Sequence, residues 1–182
     1  MEQITTPDEI ISFWRAAGPD RWFAADEGFD RTCRNRFLPS HEAAARGDLD
    51  GWQDTPEGAL ALVLLLDQFS RNMFRGSPRI YETDPAALAV AERAVARGFD
   101  TRVDPLFRQF FYLPFMHSED LSHQVRSISL YEALADPDSL QWARHHHGIV
   151  ARFGRFPHRN VLLGRRTTPE EEAFLAESPF RG

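Results

Sequence analysis

The sequence predicts an all-α fold of about seven helices, and three observations lead there. Thr or Asp followed by Pro and acidic residues recurs just before stretches of helical apolar period. Glycines fall where those stretches should stop, and no segment shows the period-2 alternation of β-branched residues that a strand requires. Val, Ile and Thr are sparse, so little or no strand is expected.

The elements follow in order. Thr6-Pro7-Asp8-Glu9 has capping-box spacing and opens a helix from Ile10 to Ala17, with Gly18 as its stop. Phe29 to Arg46 reads as a helix interrupted near Pro39. Within it Cys33 lies between Phe29 and Phe37 at i, i+4 and i+8, the position of a small core filler rather than a nucleophile. Thr55-Pro56-Glu57 opens the run to Met73, and the apolar residues from Ala59 to Leu66 leave it no polar face there. Asp84-Pro85 opens an Ala-rich helix to Arg97, followed by Gly98. Glu119 to Ala135 and Asp138 to Phe153 are two more, the second stopped by Gly154, and Thr168-Pro169-Glu170-Glu171 opens the last. Small residues such as Ala87, Ala91 and Ala94 suit stacked helical hairpins, although a repeat of about 34 residues is missing.

A length of 182 residues, 42% of them hydrophobic, supports one sizeable core, and no Pro, Gly or Ser cluster marks a linker. A single helical domain over residues 1–182 is expected. The start lacks the basic and apolar regions of a secretory signal, and the apolar run Ala59 to Leu66 is far short of the roughly 20 residues that span a bilayer. The single cysteine excludes an internal disulfide, so a soluble, cytoplasmic protein is expected.

All 21 basic residues are Arg, and 27 acids leave a formal net charge of -6, which argues against general nucleic-acid affinity. The distribution is uneven. Between Ser139 and Pro169 there is no Asp or Glu, while Arg144, Arg152, Arg155, Arg159, Arg165 and Arg166 fall there with four of the seven histidines.

Candidate site residues come from four places. Asp67 follows the buried apolar run and precedes Arg71 by four residues, the favourable order for a helical ion pair, with Arg75 continuing the stripe. Ser118 reads as an N-cap with Glu119 and Asp120 in the first turn, and His117 before it could share a pocket with Glu119. Trp142, His146, Ile149, Val150 and Phe153 form an apolar stripe, so His146 should face inward while His145 and His147 diverge from it. Last, Gly154 can end one helix and Pro157 begin a short one, which gathers Arg155, His158 and Arg159 at a helix start suited to an oxyanion. The alternative is that these arginines are spent on Asp67, Glu119 and Asp120, holding distant helices together.

Several of these residues also carry a family resemblance. Phe13-Trp14, Trp22-Phe23, Leu65 to Asn72, Leu113 to Asp120, His146, Arg152 to Asn160 and Gly164-Arg165 together resemble a bacterial family described as a domain of unknown function, number nine hundred and twenty-four. The resemblance spans nearly the whole chain. It implies an all-helical fold similar to tetratricopeptide-repeat proteins and supplies no activity, catalytic residue or substrate.

Three functional readings follow. One is a binding module whose polar cleft, lined by Asp67, Arg71, His117, Glu119, His146, Arg155, His158 and Arg159, takes a small anionic ligand or a peptide carboxylate. Another is an enzyme, with His117 and Glu119 or His146 as an acid-base pair and Arg155 and Arg159 holding an oxyanion. The third is a metal site from His117, Glu119, His146 and His158. No phosphate loop, nucleophile elbow or zinc-protease motif is present, so neither cofactor nor metal is expected and binding leads.

Overall fold

The computed structural model describes residues 4–177, and every regular element among them is helical. The α-helices are α1 (Pro7–Ala17), α2 (Pro19–Trp22), α3 (Glu27–Ala45), α4 (Pro56–Val63), α5 (Ser70–Met73), α6 (Asp84–Ala96), α7 (Leu113–His117), α8 (Leu121–Leu134), α9 (Pro137–Phe153) and α10 (Pro169–Glu177). Short 3-10 turns join them, and the chain divides into two compact units. The first runs to Arg75 and again over Arg79–Pro114; the second comprises Gly76–Pro78 and the chain from Phe115 onward.

Local capping sets most helix starts. The α1 capping box is complete, with Thr6 accepting from the Glu9 amide and Glu9 accepting from the Thr6 amide. Thr55 caps α4 through the Gly58 amide. Gly58 is obligatory for a second reason, since a Cβ there would meet the Trp52 carbonyl oxygen at 2.1 Å. Gly154 ends α9 at φ 69°, a conformation that costs a side-chain-bearing residue more than glycine.

In the first unit, α1 and α6 both pack on α4, and α3 packs on α5 and the segment before it. The core is aromatic. Trp14 stacks on Trp22 with ring centroids 6.2 Å apart and meets Phe69 at 5.2 Å and Phe110 at 5.8 Å. Cys33 sits fully buried between Phe29 and Phe37, and burial pushes its thiol up to about 12. That thiol is inert.

Between α4 and α5 the expected α-helix widens into a π-helix, Leu64–Phe69. Side-chain donors compete for its carbonyls: Ser70 Oγ donates to Leu66 and Asp67, Thr83 Oγ1 donates to Leu66 at 2.6 Å, and Arg71 donates to Asp67 at 2.7 Å.

In the second unit, α8 and α9 form a hairpin closed by Ala135 and Asp136. Phe153 packs on Phe174 of α10 at 5.1 Å, beside buried Ile149, Val150 and Phe156.

Three expectations are corrected. The helix over Pro39 is unbroken, because tertiary packing of its buried face outweighs the hydrogen bond that Pro removes. The N-cap of α8 is Asp120, which accepts from the Ser122 amide, so Ser118 and Glu119 precede the helix. Trp142 is 53% exposed, since the inward face of α9 is Ala143, His146, Ile149 and Val150.

Candidate functional site

The structure places Asp67 and Arg71 in the first unit and His117, Glu119, His146, Arg155, His158 and Arg159 in the second. Asp67 is fully buried in the π-helix. Its carboxylate accepts from Gln68 Nε2 at 2.6 Å and pairs with Arg71 Nη1 at 3.2 Å. Arg71 also makes a two-pronged pair with Asp84, at 2.9 and 3.2 Å. Burial opposes the charge on Arg71, but Asp67 and Asp84 outweigh it and hold the guanidinium above its usual range.

The second unit shows where the arginines of the acid-free window go. Arg144 pairs with Glu132, Arg152 with Glu170, Arg155 with Glu171 and Arg165 with Glu119, so the acids come from either side of the window. The first two pairs are exposed and contribute little. The other two form the frame of the site. Arg155 grips both oxygens of Glu171 at 2.6 and 2.8 Å and donates to the Arg166 carbonyl at 2.8 Å. Glu171 also accepts from Asn160 Nδ2 and the Thr168 amide, while its own amide donates to Thr168 Oγ1. The Arg155 bonds, then those at Thr168, outweigh burial and hold its carboxyl down to about 2.

Glu119 occupies the place the sequence offers to an oxyanion. It accepts from Arg165 Nη1 at 2.7 Å, from Arg165 Nη2 at 3.0 Å, and from the Phe156 amide just before the 3-10 turn Pro157–Arg159 at 2.7 Å. Burial raises its carboxyl, but Arg165, the Phe156 amide and Arg159 together bring it below its usual value. Both oxygens accept bonds from the segment after α9, so Glu119 anchors that segment to the end of α7.

The remaining groups gather around Phe156, whose ring is fully buried. His146 meets it edge-on at 5.5 Å, His158 lies at 5.6 Å, and the guanidinium of Arg159 stands 4.6 Å over it. His117 is 6.5 Å from His146, ring to ring, and its carbonyl accepts from Arg159 Nη2 at 2.8 Å. Three chain segments thus converge: the end of α7, the middle of α9 and the turn after it. Arg159 is 7% exposed.

Burial pushes the His146 ring down to about 3 against its hydrogen bond to Trp142, with His117, His145 and His158 adding to the fall. His158 is also brought to about 3, by burial first and then by Arg159. Both rings are therefore neutral at pH 7. His146 Nδ1 lies 2.8 Å from the Trp142 carbonyl, so that nitrogen carries the proton and Nε2 presents a lone pair. That partner lies on the same helix.

Among the described residues, no group of three or more His, Cys, Asp and Glu could hold a metal ion, so the metal reading finds no support in the geometry. No described helix is long and apolar enough to cross a membrane.

Glu171, Arg165 and Phe156 are absent from the sequence-derived candidates. Glu171 was visible only as a first-turn acid of α10, a local role that its second oxygen does fill.

No curated protein matches this sequence. A solved structure of a protein of unknown function from Agrobacterium tumefaciens is similar, with 50% identity and a TM-score of 0.91 over 94% of this chain and 97% of that one. The model of a bacterial family described as a protein of unknown function, DUF924, matches residues 10–179. The chain belongs to that family.

Proposed function

We propose that the second unit is a binding module for a small anion, with Arg159 as the charged contact and His117, His146 and His158 bordering it. The observation that carries this reading is the convergence of two imidazoles, His146 and His158, and a buried guanidinium around Phe156, with His117 against His146. Titratable groups crowded into a partly buried cluster that shifts them are candidates for a functional site. Arg155, Arg165, Glu119 and Glu171 serve as the frame. Acid-base catalysis is the weaker reading, because a ring titrating near 3 is a poor base at neutral pH. Stacking of helical hairpins in the manner of tetratricopeptide repeats, with α8 and α9 as one such hairpin, belongs to the same proposal. So does a cytoplasmic setting, which suits a lone, inert cysteine.

The test is a titration of wild type, Arg155→Gln and Arg159→Gln with phosphate, sulfate and small carboxylates, following heat of binding and melting temperature. Wild type binds, more weakly as salt rises, and Arg159→Gln loses about tenfold or more in affinity, the scale of one charge-assisted bond. Arg155→Gln lowers the melting temperature and leaves affinity within a few-fold. No binding to wild type, together with large melting losses in both variants, rejects the proposal in favour of a purely structural cluster.

A further inference from the structure

Helix α8 is patterned against its own hydrophobicity. It leaves Leu121 46% and Val125 53% exposed, while Gln124 and Ser127 are fully buried on its inward face with Leu130 and Tyr131. One role of Gln124 is evident, since its Nε2 donates to the carbonyls of Met116 and Ser118, at 2.7 and 2.6 Å. These flank His117, whose own carbonyl accepts from Arg159. Gln124 and Arg159 therefore clamp three successive carbonyls and stand at the same place in the unit.

The other end of the Gln124 amide is unexplained by that clamp. With the nitrogen turned toward residues 116–118, the oxygen points away from them, and Gln124 Oε1 has no hydrogen-bond partner among the described residues. One helical turn on, Ser127 Oγ has none among them either. It does not even bond the carbonyl four residues back, as exposed Ser129 does with Val125. Two fully buried polar atoms left unmatched, one turn apart on the same helix face, destabilise the fold, and native interiors hold few of them.

We propose that Gln124 Oε1 and Ser127 Oγ recognise a hydroxyl group, so that the ligand of the second unit is a hydroxylated organic anion rather than a bare inorganic one. A ligand hydroxyl donates one proton and accepts another. It matches an amide oxygen, which can only accept, beside a serine hydroxyl, which can donate. The inference rests on the anion reading of the Arg159 cluster and specifies what the anion carries.

The experiment compares propanoate with 2,3-dihydroxypropanoate, by calorimetry, on wild type, Ser127→Ala and Gln124→Met. Wild type should bind the dihydroxy acid about tenfold or more tightly than propanoate. Ser127→Ala should erase most of that preference without changing propanoate affinity, and its melting temperature should not fall, since it removes an unmatched polar atom and little volume. Gln124→Met should erase the preference as well, with some loss of stability from the released carbonyls. Equal binding of the two acids by wild type, or a preference that survives both variants, overturns the inference and leaves the anion site standing. Binding of neither acid to wild type overturns both.

Discussion

The first unit is built around a cluster of aromatic rings, whereas the second sets neutral imidazoles and ion-paired guanidiniums beside its apolar core. In the first, Trp14 meets Trp22, Phe29, Phe69 and Phe110, and their burial stabilises by area, with little dependence on pH. In the second, Glu119 and Glu171 each receive several donors from segments far apart in sequence. Their contribution depends on every partner being present and on every charge state being right. A helical fold of uniform secondary structure can thus hold two kinds of interior. The directional kind, which costs more to assemble, is the one that presents chemistry.

Acid should separate the two most strongly. His146 and His158 titrate at about 3 in the folded protein against an ordinary 6.5, and His41 in the first unit, held down chiefly by burial, at about 4. The folded-state values are depressed, so unfolding takes up protons below 6.5. The stability these rings support is complete above 6.5 and is lost as pH falls toward 4 and then 3. Each ring contributes a slope of up to about 1.4 kcal/mol per pH unit in that window. Two of the three belong to the second unit. Urea unfolding at several pH values between 6.5 and 4.5 should show stability falling steeply before ordinary carboxylates begin to titrate. Replacing His146 or His158 with Gln should each remove about a third of the slope. A flat profile, or a slope removed only by His41→Gln, would erase the distinction between the two interiors.

Single substitutions come next. Trp14→Ala removes a fully buried ring with four aromatic neighbours and should cost about 3–5 kcal/mol, with little change between pH 7 and pH 5. Glu119→Gln keeps an acceptor for the Phe156 amide but strips Arg165 of its carboxylate. At partial exposure this should cost about 2 kcal/mol. Denaturant midpoints of both variants check the order, and a Glu119→Gln loss as large as that of Trp14→Ala would mean the ionic frame, not the ring cluster, dominates stability.

How much of this was legible in the sequence depends on how far each interaction reaches. The caps at Thr6, Thr55 and Thr168 bond within three residues of themselves, and all three were readable. The Asp67 and Arg71 pair, one turn apart, was readable too. The π-helix was not, because Thr83, seventeen residues on, helps to take the carbonyl that loosens it. The partners of the cationic window were legible only in part: Glu119 stood among the acids offered to its arginines, but the pairing with Arg165 spans 46 residues and only the fold selects it. Among candidate site residues, His146 declared itself by its apolar neighbours. Gln124 and Ser127 did not, although their spacing of three on one face was a signal that two polar residues share an environment.

The smallest effect tests whether the aromatic unit opens independently. Cys33 is fully buried and its thiol is raised to about 12, so in the native state it offers neither access nor thiolate to a labelling reagent. Cys33→Ala deletes one buried sulfur and should cost only about 1 kcal/mol. The wild-type thiol is the better reporter for that reason, since it must wait for an opening of the first unit in order to react. Labelling at pH 7 should be slower than in denaturant by a factor of about a thousand or more, the range set by typical domain stability. Lowering the pH toward 5 should loosen the second unit first, which ellipticity would register while labelling, corrected for reagent reactivity, lags behind. Cys33 reacting in step with the loss of helix would mean that the two interiors fail together, and that the imidazole cluster governs the stability of the aromatic unit as well as its own.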